Sequence, residues 1–99
     1  MKTYKIWEGL KGAKRSKHYK TFTFIGEEVG YWSDAHPTTS DRGTAYRVFR
    51  TEAGTIVIHR IRWSKWSTEY DHGSIFQYTT LEEATRDFGN VLKNAGVIQ

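Results

Sequence analysis

The sequence predicts an α+β domain: a single, mostly antiparallel β-sheet of about four to six strands, with one C-terminal amphipathic α-helix packed on one face. Three observations favour this class. Up to residue 78, runs rich in Thr, aromatic and β-branched residues are separated by short polar or glycine-containing stretches. Beyond residue 80 the apolar residues recur at a helical period. The 99 residues suffice for one small domain, 1–99, and are too few for two.

The strands are predicted where apolar and polar residues alternate, because alternate side chains of a strand point to opposite faces. These runs are Thr3–Trp7, Tyr19–Ile25, Glu28–Ser33, Ala45–Thr51, Thr55–Trp63 and Ile75–Tyr78. The predicted connections are a flexible basic loop at about 9–18, a tight turn at Gly26 and Glu27, a polar loop at about 34–43, a three-residue turn at 52–54 and an irregular stretch at 64–73.

The C-terminal helix has clear start and stop signals. Thr80 and Glu83 form a capping box, in which two side chains satisfy free backbone amides of the first turn; Thr79 and Glu82 offer the same pattern one residue earlier. Gly96 is predicted just beyond the last turn. The apolar stripe expected to face the sheet consists of Leu81, Ala84, Phe88, Val91, Leu92 and Ala95.

Aromatic residues are predicted to build much of the core. Only 37% of the residues are hydrophobic, which is low for a globular domain, but 15% are aromatic and each aromatic ring can bury a large area. The predicted core is Phe22, Phe24, Tyr31, Val48, Val57, Ile61, Phe76, Leu81, Ala84, Phe88, Val91 and Leu92.

Several classes of protein and site are disfavoured. The chain has no cysteine, which excludes disulfides and thiolate chemistry, and its four histidines show no zinc-binding spacing, so neither metal nor cofactor is expected. The N-terminus lacks the apolar segment of a signal peptide, and no apolar run is long enough to span a membrane. We therefore expect a cytoplasmic protein that does not act on membranes.

Catalysis is not expected either. The sequence has no nucleophile elbow, phosphate-binding loop or metalloprotease motif. His59 is the one histidine that falls in the middle of a predicted strand. A sheet residue packed among aromatic side chains is the favoured interpretation of it, over a catalytic base.

The charge is concentrated at the N-terminus. The net charge is +4, but residues 1–26 hold seven bases and one acid, whereas residues 27–99 hold eight bases and ten acids. Such an asymmetry favours contact with a polyanion, since Lys and Arg side chains can follow a phosphate backbone.

The leading functional hypothesis is a small non-enzymatic module that binds nucleic acid, DNA or RNA. Arg60 and Arg62 are two residues apart and are expected to share one face of the sheet, and aromatic residues follow directly, which suits stacking on bases. The predicted contacts are Lys11, Lys14, Arg15, Lys17 and Lys20 in and beside the basic loop, and Arg47, Arg50, Arg60, Arg62, Trp63, Lys65 and Trp66 on and after a β-hairpin.

The sequence is also compatible with two alternative functions. If Trp32, Trp63 and Trp66 cannot all be buried, an exposed patch of Trp, Tyr and Arg would suit a protein partner, in an interaction, regulatory or inhibitory module that is monomeric or a homodimer. The arginines would carry no binding function if they pair with Glu52 and Glu69 in solvent while the tryptophans lie in the core. A small-molecule pocket between helix and sheet is the second alternative.

Overall fold

The computed structural model describes residues 1–12, 18–35, 40–66 and 69–99. Its elements, in chain order, are β1 (Lys2–Lys11), β2 (His18–Ser33), β3 (Arg42–Thr51), β4 (Ile56–Ser64), β5 (Asp71–Tyr78) and α1 (Leu81–Asn94). Consecutive strands pair antiparallel, and β1 also pairs antiparallel with β5, so that the sheet closes into a barrel. The α+β class, the antiparallel pairing and the single C-terminal helix are confirmed, whereas the expectation of a plain sheet is corrected by its closure.

The predicted turn at Gly26 and Glu27 is wrong, because β2 runs through it as one strand. Gly26 is the residue at which β2 changes partner: it pairs with Lys2 of β1 on one side and with Thr51 of β3 on the other. A Cβ atom at this position would lie 2.3 Å from the carbonyl oxygen of Arg50. Glycine is therefore needed here for close approach of two strands, and not for a tight turn.

The odd number of strands makes closure difficult. Five straight strands cannot alternate in direction all the way around a ring, so at least one must bend. The 16-residue β2 takes this role, since its first half pairs with β1 and its second half with β3, with a register shift between Glu28 and Gly30. The closing contact is correspondingly short, and joins only residues 9–11 of β1 to residues 71–73 of β5.

Two apolar clusters stabilise the fold, one on each face of the sheet. Inside the barrel, Ile6, Phe49 and Val57 are buried, and the half-buried rings of Tyr4, Phe22 and Phe24 pack around them with Ile75. On the outside, α1 covers Val48, Ile56 and Ile58 with its buried residues Ala84 and Leu92. The predicted helix stripe thus faces the sheet as expected.

The predicted core includes one residue that is exposed and omits several that are fully buried. Tyr31 is 57% exposed. The register shift in β2 places it opposite Arg47 of β3, outside the two apolar clusters. Phe49, Ile56 and Ile58 are fully buried although they were not predicted. The other predicted core residues are buried or half-buried: Phe22, Phe24, Val48, Val57, Ile61, Phe76, Leu81, Ala84, Phe88, Val91 and Leu92.

The predicted N-cap and the predicted end of the helix are confirmed, although the Glu83 carboxylate accepts from the Thr80 hydroxyl and not from its backbone amide. Thr80 is the N-cap, and its Oγ1 accepts a hydrogen bond from the backbone amide of Glu83 at 3.2 Å. The chain leaves the helix through Gly96, whose φ of 80° lies in the left-handed region. Phe88 interrupts the helix with φ −128° and ψ 32°, so the segments on either side are slightly kinked. No helix among the described residues is long and apolar enough to cross a membrane.

The cap can be tested with two adjacent threonines. Replacing Thr80 by Ala removes the acceptor of the Glu83 amide and is expected to lower the free energy of unfolding by about 1 kcal/mol. Thr79→Ala is the matched control and should change it by less than about 0.5 kcal/mol. Urea unfolding followed by circular dichroism measures both, and equal effects at the two positions would contradict the assignment of the cap.

Candidate functional site

The face of the sheet that carries α1 extends beyond the helix and leaves a surface of its own. Residues directly opposite each other on paired strands share a face. One row crosses four strands as Trp32, Tyr46, Arg60 and Ser74; the next row is Thr44, Arg62 and His72. We call these seven residues the outer face. The neighbouring row on the other side, which includes Val48 and Ile58, is covered by the helix.

Two aromatic rings dominate one side of the outer face. Trp32 and Tyr46 stack with their centroids 5.8 Å apart and their planes 22° from parallel. Tyr46 also meets the ring of Phe88 edge-on at 6.3 Å, and Phe88 in turn packs against Phe76 at 4.9 Å. Phe88 of the helix thus supports the ring of Tyr46, on which Trp32 stacks. Both rings are half-buried, so part of each remains accessible to solvent.

The other side of the outer face carries the charge. Arg60 lies with its guanidinium 5.0 Å from the ring centroid of Phe76 and with Nη2 3.5 Å from the hydroxyl of Ser74. Arg62 is exposed. All eleven carboxylate residues belong to the described part of the chain, and neither guanidinium forms an ion pair with any of them. These two positive charges are thus available to a ligand.

The other four arginines within the described ranges are paired. Arg47 binds Glu28 through two hydrogen bonds of 3.0 Å, and this pairing raises the pKa of Arg47 above its usual range. The remaining pairs are Arg50 with Glu27, Arg42 with Glu69 and Arg86 with Glu82. Of the predicted pairings, Glu69 does accept an arginine, but it is Arg42. Arg47 and Arg50 were predicted to bind nucleic acid, and in the structure a carboxylate already offsets each of them.

The predicted contacts after Arg62 are Trp63, near the end of β4, and Lys65 and Trp66, which follow the strand. Trp63 points to the opposite face of β4, where its ring covers Gly43 closely enough that a Cβ atom there would lie 2.6 Å away. Lys65 and Trp66 are exposed just beyond the end of the strand, with Trp66 51% exposed. Trp63 is therefore not on the surface that carries Arg60 and Arg62.

The strand residues that flank the basic segment adjoin the outer face at one corner. The second row continues from His72 to Leu10 of β1 and from there to His18 of β2. His18 is where the described chain resumes after residues 13–17, so Lys14, Arg15 and Lys17 lie outside the described residues. The predicted basic segment thus leaves and rejoins the sheet next to the row that holds Arg62.

The two described lysines of that region have different surroundings. Lys11 places Nζ 5.6 Å from the ring centroids of both Trp7 and Tyr19, a cation–π arrangement. These three residues line a cavity of about 250 Å³ together with Lys5, Ile6 and Thr21. Lys20 is exposed on β2 opposite Glu8.

Sequence reasoning predicted Arg60 and Arg62 as contacts and missed the other five residues of the outer face: Trp32, Thr44, Tyr46, His72 and Ser74. The predicted turn at 52–54 sets the register of β3 and β4, so the pairing of Tyr46 with Arg60 follows from counting back along both strands. Trp32 could not be found in this way, because the register shift in β2 changes which of its residues share a face.

A shallow groove of about 500 Å³ adjoins Tyr46 where α1 is kinked. Asn90 supplies an amide group to its lining, and the other lining residues are Tyr46, Thr85, Arg86, Asp87, Phe88, Gly89 and Val91. It extends the outer face towards the helix, at the place where a small-molecule pocket was considered. Among the residues with described positions, no three histidine or carboxylate side chains are grouped so that they could hold a metal ion.

His59 is the most buried polar side chain described, with 1% of its surface exposed. Its ring meets Trp7 edge-on at 5.4 Å, and neither ring nitrogen has a hydrogen-bond partner of good geometry within the described ranges. Burial, with a smaller contribution from the charge of Arg47, lowers the pKa of His59 to about 4, against the opposing effect of the Trp7 backbone. It is therefore a neutral packing residue, as the sequence interpretation favoured.

Comparison of the chain with protein-family models, with curated proteins and with solved structures finds no match.

The burial of His59 predicts an acid-sensitive stability. The unfolded chain takes up a proton on this histidine near pH 6.5 and the folded protein only near pH 4, so unfolding binds a proton between these values. The contribution of His59 to the free energy of unfolding is therefore expected to be constant above about pH 6.5. It should fall by roughly 3 kcal/mol as the pH drops to 4.

His59→Phe removes the titrating group while keeping a planar ring, and the pH dependence between 6.5 and 4 should become nearly flat. The exposed His72→Phe serves as the control and should leave it unchanged. Urea midpoints measured across this range give the result. A slope that persists in His59→Phe would show that proton uptake occurs at another group.

Proposed function

We propose that this protein is a non-enzymatic module that binds single-stranded nucleic acid on its outer face. The observation that carries the proposal is the combination of two unpaired guanidiniums, Arg60 and Arg62, with the stacked rings of Trp32 and Tyr46 on the same sheet surface. Arginines on a sheet supply contacts to phosphate, and aromatic rings beside them supply stacking platforms for bases.

An unpaired strand fits this surface better than a duplex. Stacking on Trp32 or Tyr46 requires a base that is not already stacked within a helix. The only helix described turns its acidic residues Glu82 and Glu83 to solvent, which would repel the phosphates of a groove it entered. The groove beside Tyr46, with the amide of Asn90, offers room for one such base and a hydrogen-bonding partner for its edge.

The basic segment supports the same proposal. Arg62 and His18 lie on one row, so a strand that crosses the outer face reaches the ends of the segment that contains Lys14, Arg15 and Lys17. The second row between Arg62 and His18 contains no acidic residue.

The alternative of a protein partner bound through exposed aromatic residues has weaker support. The exposed aromatic side chains among the described residues are Tyr31 and Trp66. Tyr31 lies in β2, and Trp66 follows β4. The outer face, by contrast, gathers its rings and charges on one surface.

Removing the two arginines tests the proposal. Arg60→Ala and Arg62→Ala should each weaken binding of a fluorescent single-stranded oligonucleotide, RNA or DNA, by about tenfold, since each removes a charge-assisted contact. Each should also reduce the dependence of log K on log salt by about 0.7, the value for one phosphate contact on a single strand. Fluorescence anisotropy at several salt concentrations measures both quantities.

Arg50→Ala is the matched control, because Arg50 is an exposed arginine at the far end of β3 that pairs with Glu27. It changes the net charge equally and should leave affinity nearly unchanged. Trp32→Leu should also weaken binding, by roughly 1–3 kcal/mol, while Trp32→Phe should restore much of it. If all three arginine variants lose affinity equally, binding is a general effect of charge; if none binds less tightly than the parent, the outer face is not the site.

A further inference from the structure

The barrel is joined at one corner only, and the two strands that close it diverge from there. β5 pairs with β4 along residues 72–78, but with β1 only at residues 71–73. β1 pairs with β2 along residues 2–10, and its other side meets β5 only at residues 9–11. Residues 2–8 of β1 and 74–78 of β5 therefore face each other across a gap, with no strand between them among the described residues. We call this gap the seam.

The backbone of β5 turns unpaired groups towards the seam. The amide of Ile75 is directed away from β4, since it donates to the carboxylate of Glu8 on β1 at 3.3 Å. Backbone groups of a strand point alternately to its two sides, so the amide and carbonyl of Gln77 also face the seam. Glu8 thus takes the place that a carbonyl group of a neighbouring strand would occupy.

The seam also has a cavity that suits a side chain. It measures about 240 Å³, which is below the size of a pocket for a drug-sized ligand and adequate for one bulky side chain. Phe22 and Ile75 provide apolar surface, and Glu8, Lys20, Thr21 and Gln77 complete the lining. An extended chain that ran along β5 could place one apolar residue here and point its neighbours outward.

The charges beside the seam define the partner. Lys2, Lys5 and Lys20 are exposed, and none of the three forms an ion pair among the described residues, whereas Glu8 is the one acid of β1. A second copy of this chain would bring the same lysines into contact and be repelled. An acidic segment would be attracted instead.

We propose that the seam is a docking site for an extended acidic peptide segment of another protein, which adds as a strand to the free edge of β5 and inserts one apolar side chain beside Phe22 and Ile75. Main-chain hydrogen bonds to the carbonyl of Ile75 and to the amide and carbonyl of Gln77 provide the affinity, and the cavity and lysines provide the selectivity.

The test uses the full chain labelled with 15N and a synthetic peptide in which glutamate alternates with leucine. Binding should slow hydrogen exchange of the Gln77 amide, which the strand would cover, and shift the resonances around Phe22 and Ile75. The same peptide with lysine in place of glutamate should not bind. Slower exchange with both peptides, or with neither, overturns the proposal.

Gln77→Pro removes the amide that faces the seam, and Gln77→Ala keeps it. The acidic peptide should lose at least about tenfold in affinity for the first variant and little for the second, because proline is tolerated on a free edge but cannot donate. Lys2→Glu with Lys20→Glu provides a second test that leaves the backbone unchanged and should also abolish binding. Equal affinity for Gln77→Pro and Gln77→Ala, unaltered binding to the charge-reversed variant, or a free protein that is already dimeric through β5 would each contradict the proposal.

Discussion

The fold depends on the short contact by which β1 closes the sheet. At that point the ring of Trp7 lies over Gly73, where any Cβ atom would be 2.6 Å from it, and meets His59 edge-on. Alternation places Trp7 on the face of β1 opposite to Ile6, which packs inside the barrel. Both faces of β1 are therefore packed against other parts of the structure at the closing contact.

This closure explains the composition and the unusual histidine. A chain with few aliphatic residues must fill its interior with rings, and the closing contact does so with a tryptophan and an imidazole that can remain neutral under ordinary conditions. Leaving two buried ring nitrogens without partners of good geometry is unfavourable. The packing of Trp7 and Gly73 around His59 outweighs that cost only while the ring is uncharged, which links acid stability to the same contact.

The outer face follows from what closure and the helix leave uncovered. The interior cluster uses one face of β3 and β4, and α1 covers only part of the other face, because its stripe matches the row that contains Val48 and Ile58. The uncovered rows carry stacked rings at one end and unpaired arginines at the other. The acids that could have neutralised these arginines are already paired, as with Glu28 and Arg47, or engaged elsewhere, as with Asp87, which accepts from Tyr78.

Local signals in the sequence predicted a good part of this structure, and long-range ones did not. The helix from its cap at Thr80 to Gly96 was predictable because both ends depend on residues close in sequence. The strand corner at Gly26 was not, since the need for glycine there comes from Arg50, far along the chain. The site was recovered in part for the same reason: Arg60 and Arg62 share a face by simple alternation, whereas Trp32 joins them only through a register shift in β2.

Photo-cross-linking tests the central claim most directly. A single-stranded oligonucleotide that contains 4-thiouridine would be irradiated with the protein, and the attached residues identified by mass spectrometry. The account predicts adducts on the outer face, at Trp32, Tyr46 or His72. Adducts confined to Tyr31 and Trp66, with the outer face unmodified, would contradict it.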